Sequence, residues 1–102
     1  MTYDSGIVKF EYDEKEFKLR EDGSLTYIGT ECDGSRIKIP EGVVDCTEMF
    51  FGNKLLRFPP VIPEGVRYCT RMFAGSGIVR KAVLPSSVIE QDGIYDMCSC
   101  ME

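Results

Sequence analysis

Residues 39–55 read "IPEGVVDCTEMFFGNKL" and residues 62–78 read "IPEGVRYCTRMFAGSGI", with ten of 17 aligned positions identical. The shared residues are Ile39/Ile62, Pro40/Pro63, Glu41/Glu64, Gly42/Gly65, Val43/Val66, Cys46/Cys69, Thr47/Thr70, Met49/Met72, Phe50/Phe73 and Gly52/Gly75. A weaker third copy begins at Leu84 with "LPSSVIEQDGIYDMCSC", where Leu84, Pro85 and Val88 keep the pattern and Ile94-Tyr95 replace Met-Phe. The near-equal steps from Pro40 to Pro63 and from Pro63 to Pro85 suit a repeat architecture, in which one unit cannot bury its apolar face alone and stacks on its neighbours. The stretch 62–78 resembles an active-site loop, with Cys69 between two arginines and a Gly-Ser-Gly behind it. Repetition makes it architecture first.

Within each unit the step before the proline reads as a strand: "RIKIP", "PPVIP" and "KAVLP". Alternation puts Ile37/Ile39, Pro60/Ile62 and Ala82/Leu84 on the inner side, and Arg36/Lys38, Pro59/Val61 and Lys81/Val83 on the outer. These strands, near residues 36–39, 59–62 and 81–84, are expected to lie parallel in one sheet. After the proline comes a turn, then a Thr-x-Met-Phe segment long enough for a turn or two of helix, ended by Gly52 or Gly75. Val43, Val66, Val88, Met49, Met72, Phe50 and Phe73 are the expected core.

The order strand, [IL]-P-x-x-V, apolar-Phe, Gly-x-x-[LI] resembles the BspA-type leucine-rich repeats, over about residues 35–102; "LPSSV" is typical of that family. Asn53 and Ser76 stand where the family often has Cys. The resemblance implies a right-handed solenoid of α+β character with a parallel strand ladder. It also implies an interaction scaffold without catalytic residues in the repeats, many such scaffolds being on bacterial surfaces.

Residues 1–35 differ in kind, with period-two runs separated by "DEKE" and "EDGS". Asp22-Gly23 between alternating runs is a hairpin signal. Residues 7–12, 17–20 and 25–28 are read as an antiparallel β-meander that covers the first repeat, which would otherwise expose apolar surface and a free edge. The expected organisation is one domain: a cap at 1–35 and a repeat region at 36–102, with repeats starting near 36, 59 and 81. No comparable cap follows the third repeat. Exposed Ile94, Tyr95, Met97 and Met101, with the edge of the 81–84 strand, leave three expectations for that end: a homodimer or a partner complex through it, the final residues folded back as their own lid, or a natural chain that continues further.

Length and composition, 102 residues with 43% hydrophobic content, fit one modest core. No apolar run reaches transmembrane length and no signal segment is visible, so the chain as given reads as cytoplasmic, or as surface-bound or secreted if it is a truncated piece. Residues 1–35 hold nine acidic and four basic side chains, and 36–102 hold eight of each, so the whole net charge of -5 sits in the 1–35 segment. An acidic balance argues against direct nucleic-acid binding.

Candidate chemistry is thin. The chain has no histidine, which removes the commonest general base and metal ligand. Five cysteines, Cys32, Cys46, Cys69, Cys98 and Cys100, cannot all pair with one another. Cys46 and Cys69 stack in adjacent units as buried thiols or as one bridge. A zinc site from these two with Cys98 and Cys100 would need four thiolates that the repeat holds apart, so no metal and no cofactor is assigned. Gly75-Ser76-Gly77 lacks the Lys-Ser/Thr ending of a phosphate loop.

Two binding faces remain. Arg36, Lys38, Arg57, Arg80 and Lys81 form a basic stripe around Val61 and Val83, and a cationic rim on an apolar centre resembles a protein-binding patch. That gives the leading expectation: a non-enzymatic protein–protein interaction module whose partner is another protein. The alternative is a small acidic phage-type inhibitor. There Glu11, Asp13, Glu14, Glu16, Glu21 and Asp22 would mimic nucleic-acid phosphate and block a nucleic-acid-binding protein.

Overall fold

The chain, as a computed structural model, is described over residues 1–98. Its strands are short: β1 (Thr2–Asp4), β2 (Lys9–Glu11), β3 (Phe17–Leu19) and β4 (Leu25–Tyr27), followed by a 3-10 turn at Gly34–Arg36. β1 pairs antiparallel with β2, and β3 with β4, in two separate sheets. The hairpin signalled by Asp22-Gly23 therefore forms, with Leu19 opposite Leu25. The continuous meander does not. Between β2 and β3 the Asp13 carbonyl accepts from the N–H groups of Glu16 and Phe17 while its carboxylate accepts from Lys15, and this turn separates the two hairpins.

The expected right-handed solenoid with a parallel strand ladder is not what the chain forms. Residues 36–39, 59–62 and 81–84 are not strands, and no helix follows them among the described residues. Pro59 and Pro60 deprive the middle segment of two of its four donors, which disfavours a ladder through it. The Thr-x-Met-Phe segments are too short to offset the cost of helix nucleation. They also hold Glu48 and Arg71 at φ of 56° and 53°, outside the right-handed region.

The repeats are joined instead through their turns. Isolated parallel bridges link Asp33 with Phe58, Asp45 with Tyr68, and Tyr68 with Glu90. The N–H groups of Cys46, Glu48, Phe50 and Gly52 donate to the carbonyls of Tyr68, Thr70, Met72 and Ala74 at 2.7 to 3.0 Å. One repeat on, Cys69, Arg71, Phe73 and Gly75 donate to Glu90, Asp92, Ile94 and Asp96 over the same range. The intervening N–H groups turn back within their own repeat, Met49 to Cys46 and Met72 to Cys69. Positive φ recurs at equivalent places, Glu48/Arg71/Gly93 and Gly52/Gly75/Met97, and such residues turn successive N–H groups toward one side.

One apolar cluster runs from Phe10 to Ile94. Val43, Val66, Met49, Met72, Phe50 and Phe73 are all buried in it, and Val88 packs half-buried against it. Phe50 and Phe73 stack at 5.4 Å with planes 2° apart. The column extends through Tyr27 to Phe17 on one side and to Tyr95 on the other, at spacings of 5.3, 5.4 and 6.0 Å. Tyr27 precedes Phe50 by the same step that separates Phe50 from Phe73, so its place was present in the sequence as Tyr27-x-Gly29 before Phe50-x-Gly52.

The second hairpin closes the first repeat by supplying donors to its carbonyls. Leu25 donates to Asp45 and Tyr27 to Met49, while the Arg20 guanidinium reaches Thr47 O at 2.7 Å and Glu48 O at 2.9 Å. At the other end Met97 is 83% exposed but Ile94 is buried, and Met101 and Cys100 lie outside the described residues. No helix among the described residues is long and apolar enough to cross a membrane.

Candidate protein-binding face

Prolines 40, 63 and 85 push the residues before them, Ile39, Ile62 and Leu84, toward extended backbone, and Ile37 is extended at φ -94°, ψ 124°. The in-out alternation read from the sequence therefore survives without strands. Ile37, Ile39, Pro60 and Ile62 are buried, and Ala82 and Leu84 are half-buried. Arg36, Lys38 and Lys81 face solvent, and Val61 and Val83 are 82% and 86% exposed.

Two grooves flank Val61. One, of about 470 Å³, lies between the second and third segments and is lined by Pro59, Pro60, Val61, Ile62, Glu64, Arg80, Lys81, Val83 and Pro85. The other, of about 310 Å³, lies between the first and second and is lined by Ser35, Ile37, Lys38, Ile39, Glu41, Val61 and Pro63. The cations at the rim are held by rings. The Arg80 guanidinium sits 5.0 Å from the Phe58 ring centre and the Lys81 ammonium 6.0 Å from that of Tyr95. The Tyr95 hydroxyl is itself fixed, accepting from Ala82 N–H at 2.9 Å. Asp33 lies near both Arg36 and Arg80. Its carboxyl is held below the usual range first by hydrogen bonds from Ser35 and, more weakly, by these two cations.

The structure thus brings Val61, Val83, Arg80 and Lys81 to one groove and Lys38 with Val61 to the next; Arg36 is exposed but lines neither. Arg57 is exposed but lines neither groove; its backbone joins Cys32 and Val79. Sequence reasoning missed Phe58 and Tyr95 as supports of the rim, since a ring under a cation from a distant part of the chain leaves no local signal.

The acidic set is less coherent. Glu11, Asp13 and Glu16 converge on a shallow depression of about 470 Å³ that also contains Lys38, Tyr12, Phe17, Pro40 and Glu41. Glu14 is exposed outside that lining. Glu21 and Asp22 belong to the β3–β4 turn, where Asp22 Oδ1 accepts from Ser24 N–H at 2.9 Å and Ser24 O–H at 2.6 Å, holding its carboxyl below the usual range.

Cys46 and Cys69 are free, fully buried thiols. Burial pushes Cys46 well above the ordinary thiol range and Cys69 up to about 11, with Asp45 adding repulsion to each. At neutral pH both are protonated and poor nucleophiles. Among the described residues no group of three or more Cys, Asp or Glu side chains could hold a metal ion.

Comparison of the chain with family models, with curated proteins and with solved structures yields no match. The likeness to BspA-type repeats rests on the residues quoted above.

Proposed function

We propose that the protein is a non-enzymatic interaction module that holds another protein on the face formed by Val61, Val83, Arg80, Lys81 and Lys38. The observation that carries this reading is the pair of exposed valines side by side on proline-lined grooves, with cations fixed at their rim. Apolar anchors drawn from water supply the binding free energy, and the cations supply orientation and association rate. An otherwise acidic molecule that sets Lys38, Arg80 and Lys81 along these grooves suits a partner surface with carboxylates around an apolar centre. Free thiols Cys32, Cys46, Cys69 and Cys98 agree with a reducing, cytoplasmic setting.

The test is photo-crosslinking in the producing cell, with the reactive residue placed at position 61 or 83. A single partner captured at both positions, and lost in Lys81→Glu, supports the reading. The acidic-inhibitor reading draws on the convergence of Glu11, Asp13 and Glu16 at one depression. It predicts capture from positions 11 and 16 instead, of a nucleic-acid-binding protein.

A further inference from the structure

Each repeat presents its carbonyls to the repeat before it and alternate N–H groups to the repeat after it. In the first two repeats the outgoing N–H groups, at Cys46/Glu48/Phe50/Gly52 and Cys69/Arg71/Phe73/Gly75, are filled by the next repeat's carbonyls. In the third repeat the carbonyls of Glu90, Asp92, Ile94 and Asp96 are taken, and the equivalent outgoing N–H groups belong to Gln91, Gly93, Tyr95 and Met97. None of these four has an acceptor among the described residues. Ile94, Asp96 and Cys98, between them, turn back to Gln91, Gly93 and Tyr95. Among the described residues the edge is therefore a row of donors, the interleaved carbonyls of Gln91, Gly93 and Tyr95 being taken.

A row of that kind cannot pair with its own copy. Two such edges facing each other would set donor against donor and form no backbone hydrogen bonds. A second copy offers no free carbonyl row either: its first-repeat carbonyls already accept from Leu25, Tyr27 and Arg20. What fits is a turn that directs alternate carbonyls to one side, as repeats two and three do within this molecule. The Phe50–Phe73–Tyr95 stack ends on the same edge, where the Lys81 ammonium lies 6.0 Å from the Tyr95 ring centre. Charge narrows the occupant further, because the flanking side chains alternate in sign: Asp45 and Glu48, then Arg67 and Arg71, then Glu90, Asp92 and Asp96.

We infer that the third repeat's N–H row at Gln91, Gly93, Tyr95 and Met97, without acceptors among the described residues, docks a repeat-like turn that carries basic side chains. This surface meets the valine face at Tyr95, whose side chain supports Lys81 and Ala82 while its backbone N–H belongs to the row.

Amide hydrogen exchange on the full chain tests it, with two synthetic probes under reducing conditions: the 62–78 peptide, bearing Arg67 and Arg71, and the 39–55 peptide, bearing Asp45 and Glu48. At about ten times its Kd, the 62–78 peptide is expected to slow exchange at the four amides about tenfold, by mass action on the bound state. The 39–55 peptide is expected to bind more weakly. Replacing Glu90, Asp92 and Asp96 together by Lys should reverse the preference. The proposal is overturned if the four amides are already protected in the chain alone, if neither peptide slows them, or if the triple variant keeps the original preference.

Discussion

A methyl group on Gly34 would overlap the Phe58 carbonyl and the backbone of Pro59 and Pro60, where two chain segments meet with no side chain between them. The Gly34 N–H donates to that same carbonyl at 2.8 Å, so the approach cannot widen without losing the bond. Gly34→Ala is expected to cost about 3 kcal/mol as overpacking against rigid backbone. An unchanged urea midpoint would show the approach to be looser. The buried thiols give a second prediction at this scale. An unfolded chain releases its thiol protons near pH 9, whereas burial holds Cys69 protonated to about 11 and raises Cys46 well above the ordinary thiol range. Stability is therefore intact below pH 9 and falls as pH rises from there through 11, by up to about 1.4 kcal/mol per pH unit for each thiol. Unfolding followed across this range should show a shallower alkaline loss in Cys69→Ala.

At the scale of elements, the ring column and the hairpin closure carry the repeats. Phe73 lies between Phe50 and Tyr95 with no exposed surface, and Phe73→Ala should cost roughly 3 to 5 kcal/mol, read from a denaturant melt. Arg20 closes the first repeat in two ways, through the Thr47 and Glu48 carbonyls and through an ion pair with Glu48 at 3.9 Å. The ion pair is partly solvated and worth at most about 1 kcal/mol, whereas bonds from a charged donor to carbonyls are worth about 1.5 to 3 kcal/mol. The carbonyl bonds therefore dominate. Arg20→Met, which keeps the aliphatic stem, is expected to destabilise clearly in equilibrium unfolding, while Glu48→Gln changes little; equal losses would reverse that ranking.

For the whole molecule, the binding face and the fold are separable. Val61 and Val83 stand out of the core, so Val61→Asp with Val83→Asp should shift stability by no more than about 0.5 kcal/mol. The same double variant should abolish capture of the partner. Because the rim is cationic, partner binding should also weaken with salt, as screening lengths drop from about 30 Å at 0.01 M to about 10 Å at 0.1 M. A titration insensitive to ionic strength would leave the valines as the whole interaction. Reversing the charges of Glu11, Asp13 and Glu16 should leave this binding intact.

The sequence by itself determined the repeat, its core and its in-out alternation. Met49/Met72 and Phe50/Phe73 can be read as core because stacked equivalents must bury the same side chains, and the prolines after Ile39, Ile62 and Leu84 fix extended backbone whatever pairs with it. Val61, Val83, Lys38 and Lys81 were legible as outward-facing for the same reason. Only tertiary structure decided how the backbone groups are satisfied. Two prolines in the middle segment removed half of its donors to the expected ladder, and the left-handed Glu48 and Arg71 accompany inter-repeat bonds that run through the turns. The closure by Arg20 and the cation-ring supports at Phe58 and Tyr95 were equally hidden. They depend on which side chains meet from well-separated parts of the chain, and no local propensity encodes that.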